Sequence, residues 1–313
     1  MMRKKPTDAQ VRAVIDAHMH SRVKGYRVVE HHCNSHVYVT TSDGDQVVVR
    51  ICDGPYWTDD EARAHKFRRE EHGWNLMSRV DGIHVPRVVA IDTSKQHVPY
   101  PFLIMTHVPG TPMSEVLPSL DTVEQLSLIR QLGNVVGRIH ALAFDPGSMP
   151  KEAMRWNGNR ESMEEDLAVL SDTGRMTRRA RKHLEQFIAH HASLLASMDR
   201  DVVVLHGDIA FRNTLLEQRP RGWTVSGLVD AELAGYGPRG RELRVLEPLD
   251  FRPLGLPGMR AAFLDGYGEG FSRTEYKLAY LVVALDPDYP DNAVLEKLDS
   301  VEFSCDLDWL DVF

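Results

Sequence analysis

The chain has 313 residues, 42% hydrophobic and 26% charged, the balance of a globular protein with one large domain or two of ordinary size. Acidic residues outnumber basic ones, 45 to 37, and the net charge of -8 argues against a general nucleic-acid partner, while no apolar run approaches membrane-spanning length. Cys33, Cys52 and Cys305 are scattered and form neither a metal motif nor a disulfide framework, and no apolar segment follows the basic start, so a cytoplasmic protein without a signal peptide is expected.

In chain order, Thr7 and Gln10 have the spacing of a capping box for a helix from Ala9 to about His20. Three strands are then predicted, Tyr26 to Glu30, His36 to Thr40 and Gln46 to Ile51, the last two joined by the turn Ser42-Asp-Gly-Asp45. A helix over Asp59 to Arg79 places Phe67, Trp74 and Met77 on one side. Val85 to Ile91 and Phe102 to Val108 read as fourth and fifth strands, the fifth closed by Pro109-Gly110. From there the pattern turns helical. Asp121 and Glu124 can box the start of a long helix to about Leu142, with Leu126, Ile129, Leu132, Val136 and Ile139 as its core stripe. Arg160 to Leu170 is a short helix with an acidic face, and Thr177 to Met198 a longer one burying Leu184, Phe187, Ile188 and Leu195. The adjacent pairs His31-His32 and His190-His191 stand out; on a helix the second pair points apart and is not a metal site. Met259 to Phe271 and Glu275 to Leu285 close the list of expected helices.

The stretch around which the rest is organised is Val202 to Leu216. An apolar run ends at His206-Gly207-Asp208, Asn213 follows, and a second apolar run begins: strand, loop, strand. The Asp-x-x-x-x-Asn spacing is that of protein-kinase catalytic loops, in which the Asp faces the attacking hydroxyl and the Asn holds a metal ion. A polar turn with Pro220 and Gly222 leads into Trp223 to Val229, a strand that delivers Asp230; a hairpin would bring Asp230 back beside Asp208 and Asn213. Asn213 and Asp230 then make a hard, oxygen-ligand pair suited to Mg²⁺. His206 is expected to brace the catalytic loop.

HGDIAFRN followed by GLVDAELAGYG resembles the aminoglycoside phosphotransferase family, the choline-kinase-like small-molecule kinases. The likeness is sharpest over residues 202–244, and Leu-Gly-x-x-x-Gly-Arg-Ile-His140 resembles the family too. It implies a two-lobed, α+β, protein-kinase-like fold, with a nucleotide-binding sheet lobe over residues 1–107 and a mainly helical lobe over 108–313. It further implies ATP or GTP as donor, with Asn34 and Ser35 presenting backbone N–H groups to the phosphates and Arg50 standing where kinases carry a lysine. Glu70, or its neighbour Glu71, is the expected helix partner of Arg50. Thr106, His107 and Val108 would meet the base. The family's usual Asp after the metal-binding strand is missing, and Glu242 is the candidate to replace it. The acceptor is expected to be a hydroxylated, cationic small molecule held by carboxylates, with Glu232, Asp265 and Glu269 as candidates beside Asp208. Antibiotic phosphorylation is the first expectation, a metabolic kinase for choline, homoserine or a sugar the second, and a nucleotide-binding pseudokinase the third. A monomer or homodimer, without nucleic acid or membrane, completes the expectation.

Overall fold

The computed structural model describes residues 6–30, 34–54, 59–149, 151, 153–288, 290–301 and 303–310. Helix α1, Asp8–Met19, opens on the expected capping box: Thr7 Oγ1 accepts the Gln10 N–H (3.3 Å) and the Gln10 side chain accepts the Thr7 N–H (2.9 Å). Strands β1 (Val23–Glu30), β2 (Ser35–Thr41), β3 (Gln46–Ile51), β4 (Val88–Asp92) and β5 (Phe102–Thr106) form an antiparallel sheet in the order β1-β2-β3-β5-β4. Alternation along the strands gives this sheet two faces. Val37, Val39, Val47, Val49 and Ile51 pack outward on Val11, Val14 and Ile15 of α1. Val48 faces the other way, onto Phe67 of α2 (Asp60–Met77), and Arg50 shares its side.

The rest of the chain is mainly helical. Short β6 (Thr111–Pro112) and α3 (Met113–Val116) lead to α4 (Thr122–His140), followed by β7 (Met154–Arg155), α5 (Asn159–Asp172), α6 (Arg178–His190) and α7 (Ala192–Arg200). Then come β8 (Val202–Leu205), β9 (Thr214–Arg219), β10 (Gly222–Leu228), β11 (Gly235–Pro238), α8 (Leu243–Leu246), α9 (Arg252–Leu254), α10 (Met259–Tyr267), α11 (Arg273–Ala284) and α12 (Asn292–Leu298). One large core joins α2, α4 and the later helices. Helix α4 and helix α10 cross at backbone distance: a Cβ on Gly133 would lie 2.0 Å from the Phe263 carbonyl oxygen, and one on Gly137 2.5 Å from that of Tyr267. Only glycine permits this approach, which accounts for the Gly-x-x-x-Gly of α4.

Two expectations are corrected. The helix foreseen over Thr177 to Met198 is two, broken at His191, whose Nε2 reaches the Cys305 carbonyl (2.8 Å) while its ring packs on Phe187. The helix from Met259 stops at Tyr267 because Gly268 and Gly270 take left-handed φ values of 84° and 100°. The strand β11 and the helix α12 were not foreseen; β11 is held by pairing with β8 and β7 rather than by its own Gly-Tyr-Gly-Pro sequence. Among the described residues, no helix is long and apolar enough to cross a membrane.

Candidate active site

Strand β8 ends in the core and hands the chain to His206, Gly207 and Asp208. Gly207 has φ +81°, and a Cβ there would sit 2.2 Å from the Leu233 carbonyl oxygen, so the turn that aims Asp208 admits no side chain. Glu242 fixes the turn from behind. Its Oε1 accepts the Gly207 N–H (2.9 Å), and its Oε2 accepts the His206 N–H (3.0 Å) and lies 3.2 Å from His140 Nε2. Burial opposes ionisation of Glu242, yet the hydrogen bond and charge of His140, with the Gly207 N–H, hold its carboxyl below the usual range. Glu242 thus orders the loop. His140, singled out by its motif, is a buried brace that also meets the Tyr267 hydroxyl (2.8 Å).

His206 is fully buried, its ring edge-on to Trp74 (5.6 Å between centroids), and burial lowers its pKa. It supports the loop and does not reach the cleft. Asp208 keeps a little exposure, and Asn213 Nδ2 donates to both its carbonyl oxygen (2.9 Å) and its Oδ2 (2.8 Å). Arg212, not foreseen although it lies within the motif, spans both carboxylate oxygens at 2.9 and 3.1 Å. Burial, with Asp230 nearby, raises the Asp208 pKa to about 6 against the pull of Arg212 and Asn213.

The β9–β10 hairpin does what its spacing promised. The Val229 N–H donates to the Asn213 carbonyl (3.0 Å), pinning the strand end beside the catalytic loop, and Asp230 follows with φ 68°. Asp230 Oδ1 accepts from Arg50 Nη1 (2.7 Å). Burial works against its charge, but Arg50, His36 and Lys66 hold its pKa below the ordinary value. Arg50 is buried and forms an ion pair with buried Glu70, so packing selects Glu70 over Glu71. Glu232 is corrected by the same network. Its carboxylate is bound by Arg50 Nη1 (3.4 Å) and by Lys66, a buried lysine one turn before Glu70, and therefore faces the sheet lobe instead of an acceptor.

On the nucleotide side, Ser35 is the first residue of β2, with its backbone in sheet register and its hydroxyl donated to Asp53 Oδ2 (2.6 Å). Asn34 is buried before it; residues 31–33, the remainder of that loop, lie outside the described residues. The Thr106 N–H is spent on the Arg87 carbonyl and the His107 N–H on that of Gln46, both at 2.9 Å. Val108 is buried beyond them, and among the described residues its backbone N–H and C=O, like the His107 carbonyl, make no hydrogen bond. A cleft of about 460 Å³ has Arg27, Tyr38, Gln46 and His107 in its lining. Tyr38 carries the Arg27 guanidinium over its ring (3.7 Å) and meets His107 edge-on. Neither Arg27 nor Tyr38 was foreseen, though the alternation of β2 places Tyr38 on the inner face.

A model of a phosphotransferase enzyme family matches residues 27–278, more than half of the chain and all of the loop and strand just described. The chain belongs to that family. No curated protein matches this phosphotransferase by sequence. Solved structures resemble its fold at low identity. A GDP complex of an aminoglycoside 2'-phosphotransferase has a TM-score of 0.67 at 15% identity, covering 97% of this chain and 94% of the other. The macrolide 2'-phosphotransferase of Brachybacterium faecium has 0.59 at 19%, covering 92% and 96%. An aminoglycoside phosphotransferase of Streptomyces rimosus, in complex with ADP and streptomycin, has 0.55 at 16%, covering 89% and 99%.

The structure of the phosphotransferase places the remaining acceptor candidates as follows. Asp265 pairs with Arg130 on the exposed flank of α4, and Glu269 is exposed in the turn after α10. Arg212, on the catalytic loop, and Asp250, which touches it, are charged groups close to Asp208. Asp250 lies on a single π-helical turn, Glu247–Phe251, and its Oδ2 accepts the Phe211 N–H (2.8 Å). Burial raises its pKa to about 6, opposed by that N–H and by Arg212. Asp250 lies 39 residues from the loop it touches, and no local pattern announces it.

Proposed function

We propose that this phosphotransferase transfers the γ-phosphoryl group of ATP or GTP to a hydroxyl of a small hydroxylated antibiotic, an aminoglycoside or related cationic compound. The observation that carries the reading is Asp208: a carboxylate held by Asn213 and Arg212, on a turn tied down by Glu242, with Asp230 fastened alongside. The names of the solved structures of like fold, which include complexes with ADP and streptomycin, with ATP and streptomycin, and with GDP, support the donor and acceptor classes.

With a pKa near 6, Asp208 is ionised at neutral pH. It accepts a hydrogen bond from the acceptor hydroxyl, aims that hydroxyl's oxygen at the γ-phosphorus and takes the proton as the new P–O bond forms and the bond from the γ-phosphorus to the β,γ-bridging oxygen breaks, releasing the nucleoside diphosphate. Phosphoryl transfer asks chiefly for such positioning and for charge neutralisation. Arg50, held by Glu70, is the side chain for the donor phosphates, and the Val108 backbone the group for the base. The residues fit Mg²⁺: the amide NH₂ of Asn213 is spent on Asp208, which leaves its Oδ1 as a hard ligand, and Asp230 is an ionised carboxylate. Asn213 and Asp230 would hold the ion, which when bound neutralises charge on the phosphates.

A metabolic small-molecule kinase is the second reading. Arg212 favours it, because it sets a positive charge on the acceptor side while Glu232 and Asp265 are engaged by cations elsewhere. A coupled nucleotide-turnover assay over aminoglycosides, macrolides, choline, homoserine and small sugars separates the two. Asp208→Asn should lower turnover of the best acceptor by on the order of 10²–10⁴ with nucleotide affinity little changed. Turnover of a small metabolite alone would replace the antibiotic reading. No turnover with any acceptor, or an Asp208→Asn protein of full activity, would overturn both.

A further inference from the structure

We propose that His18, Asp92 and His97 form a binding site for one divalent transition-metal ion of the zinc class, outside the catalytic cleft, which fastens α1 to the β4 edge of the sheet. The three residues come from separate elements: the last turn of α1, the end of β4 and the loop between β4 and β5. One potential ligand atom from each lies within 4.8 Å of the others. Asp92 is buried, and its Oδ1 is already committed to the Ser94 N–H (2.6 Å). That bond orients the carboxylate so that Oδ2 meets His18 Nε2 at 2.9 Å, and carboxylate ligands of metals are commonly held in this way by a further hydrogen bond.

His97 decides between a metal site and a simple ion pair. The His18–Asp92 pair by itself would tie the helix to the sheet. It does not account for a second imidazole, which meets the His18 ring edge-on (5.7 Å) and makes no hydrogen bond among the described residues. The His18 ring is set in turn against Phe102 (5.4 Å). Two imidazoles and one carboxylate are the donor set of zinc, cobalt or nickel and not of magnesium or calcium, which take oxygen shells. Bonds of about 2.0–2.2 Å in a tetrahedral shell put ligand atoms roughly 3.4 Å apart. From separations of at most 4.8 Å, a shift of His97 by up to roughly 1.4 Å closes the set, and the partly exposed edge leaves a fourth position for water. The site lies with the α1 face of the sheet, opposite the face that carries Arg50, so it stands or falls independently of the phosphoryl-transfer reading.

The test uses the full chain, freed of metal by chelation and without nucleotide. Zn²⁺ is titrated calorimetrically, Co²⁺ by visible absorption, and Tm is followed with and without Zn²⁺. One equivalent should bind, the Co²⁺ spectrum should lack a thiolate charge-transfer band, and Zn²⁺ should raise Tm. His97→Ala keeps the His18–Asp92 bond, so its metal-free Tm should stay within about 2 °C of wild type. Its Zn²⁺ affinity should fall at least roughly tenfold, and the Zn²⁺-dependent rise in Tm should disappear. No binding at about 100 µM Zn²⁺, unchanged affinity in His97→Ala, or a thiolate band that assigns the ion to a cysteine would each overturn the proposal.

Discussion

Replacing Arg212 with glutamine should move the acid limb of the pH–rate profile upward by about one unit. The Arg212 Nη2 lies 2.9 and 3.1 Å from the two oxygens of Asp208, and its side chain is 47% exposed. Unit charges with centres about 4 Å apart interact by roughly 4 kcal/mol at an effective dielectric of 20 and about 1 kcal/mol in bulk water. A half-exposed guanidinium is screened, so the lower part of that range applies, and about 1.4 kcal/mol equals one pH unit. The sign follows from the charge: a cation stabilises the ionised carboxylate, so its loss raises the pKa. Wild type, with Asp208 near 6, should lose kcat/KM for its best acceptor as pH falls through about 6, and Arg212→Gln through about 7. The assay is kcat/KM against pH from 5 to 9 at saturating nucleotide, by coupled turnover; the two proteins should converge at the alkaline end. A limb that stays in place or moves to lower pH would show that Arg212 does not hold the ionised form of Asp208 in the working enzyme.

Three further outcomes are expected. Glu242→Ala leaves the buried N–H groups of His206 and Gly207 without their acceptor, at about 1–3 kcal/mol each, so urea unfolding should show a loss of roughly 3 kcal/mol together with reduced turnover. A loss below about 1 kcal/mol would mean that the loop is held by something else. Gly133→Ala drives a methyl into the Phe263 carbonyl; overpacking of about 1–3 kcal/mol should exceed the helix-propensity gain of about 1 kcal/mol, and a variant of equal or greater stability would contradict the close α4–α10 crossing. Asp230→Ala should abolish transfer and keep the folded far-UV spectrum, with elevated Mg²⁺ restoring little. Near-normal turnover would remove Asp230 from the metal site.

What the amino-acid order determined by itself is what neighbours along the chain can encode. Thr7 with Gln10 and Asp121 with Glu124 set helix starts, because the groups they satisfy are three residues away. Asp208, Asn213 and Asp230 could be assembled from spacing because one hairpin joins them, and β9–β10 pairing then leaves little choice of geometry. Charged residues outside such local units were legible as charges, and only the family resemblance gave Arg50, Glu70 and Glu242 their expected places. Glu70 and Glu71 are adjacent and differ by their direction from a helix, which packing against Arg50 decides. Glu232 and Asp265 were free carboxylates on paper; Arg50 and Lys66 take the first, and Arg130, 135 residues away in sequence, takes the second. Asp250 and the meeting of His18 with Asp92 and His97 exist only once distant elements pack. Backbone periodicity is written between neighbours, but a side chain's partner is chosen by whatever the fold brings within a few ångströms, and that choice belongs to the tertiary structure.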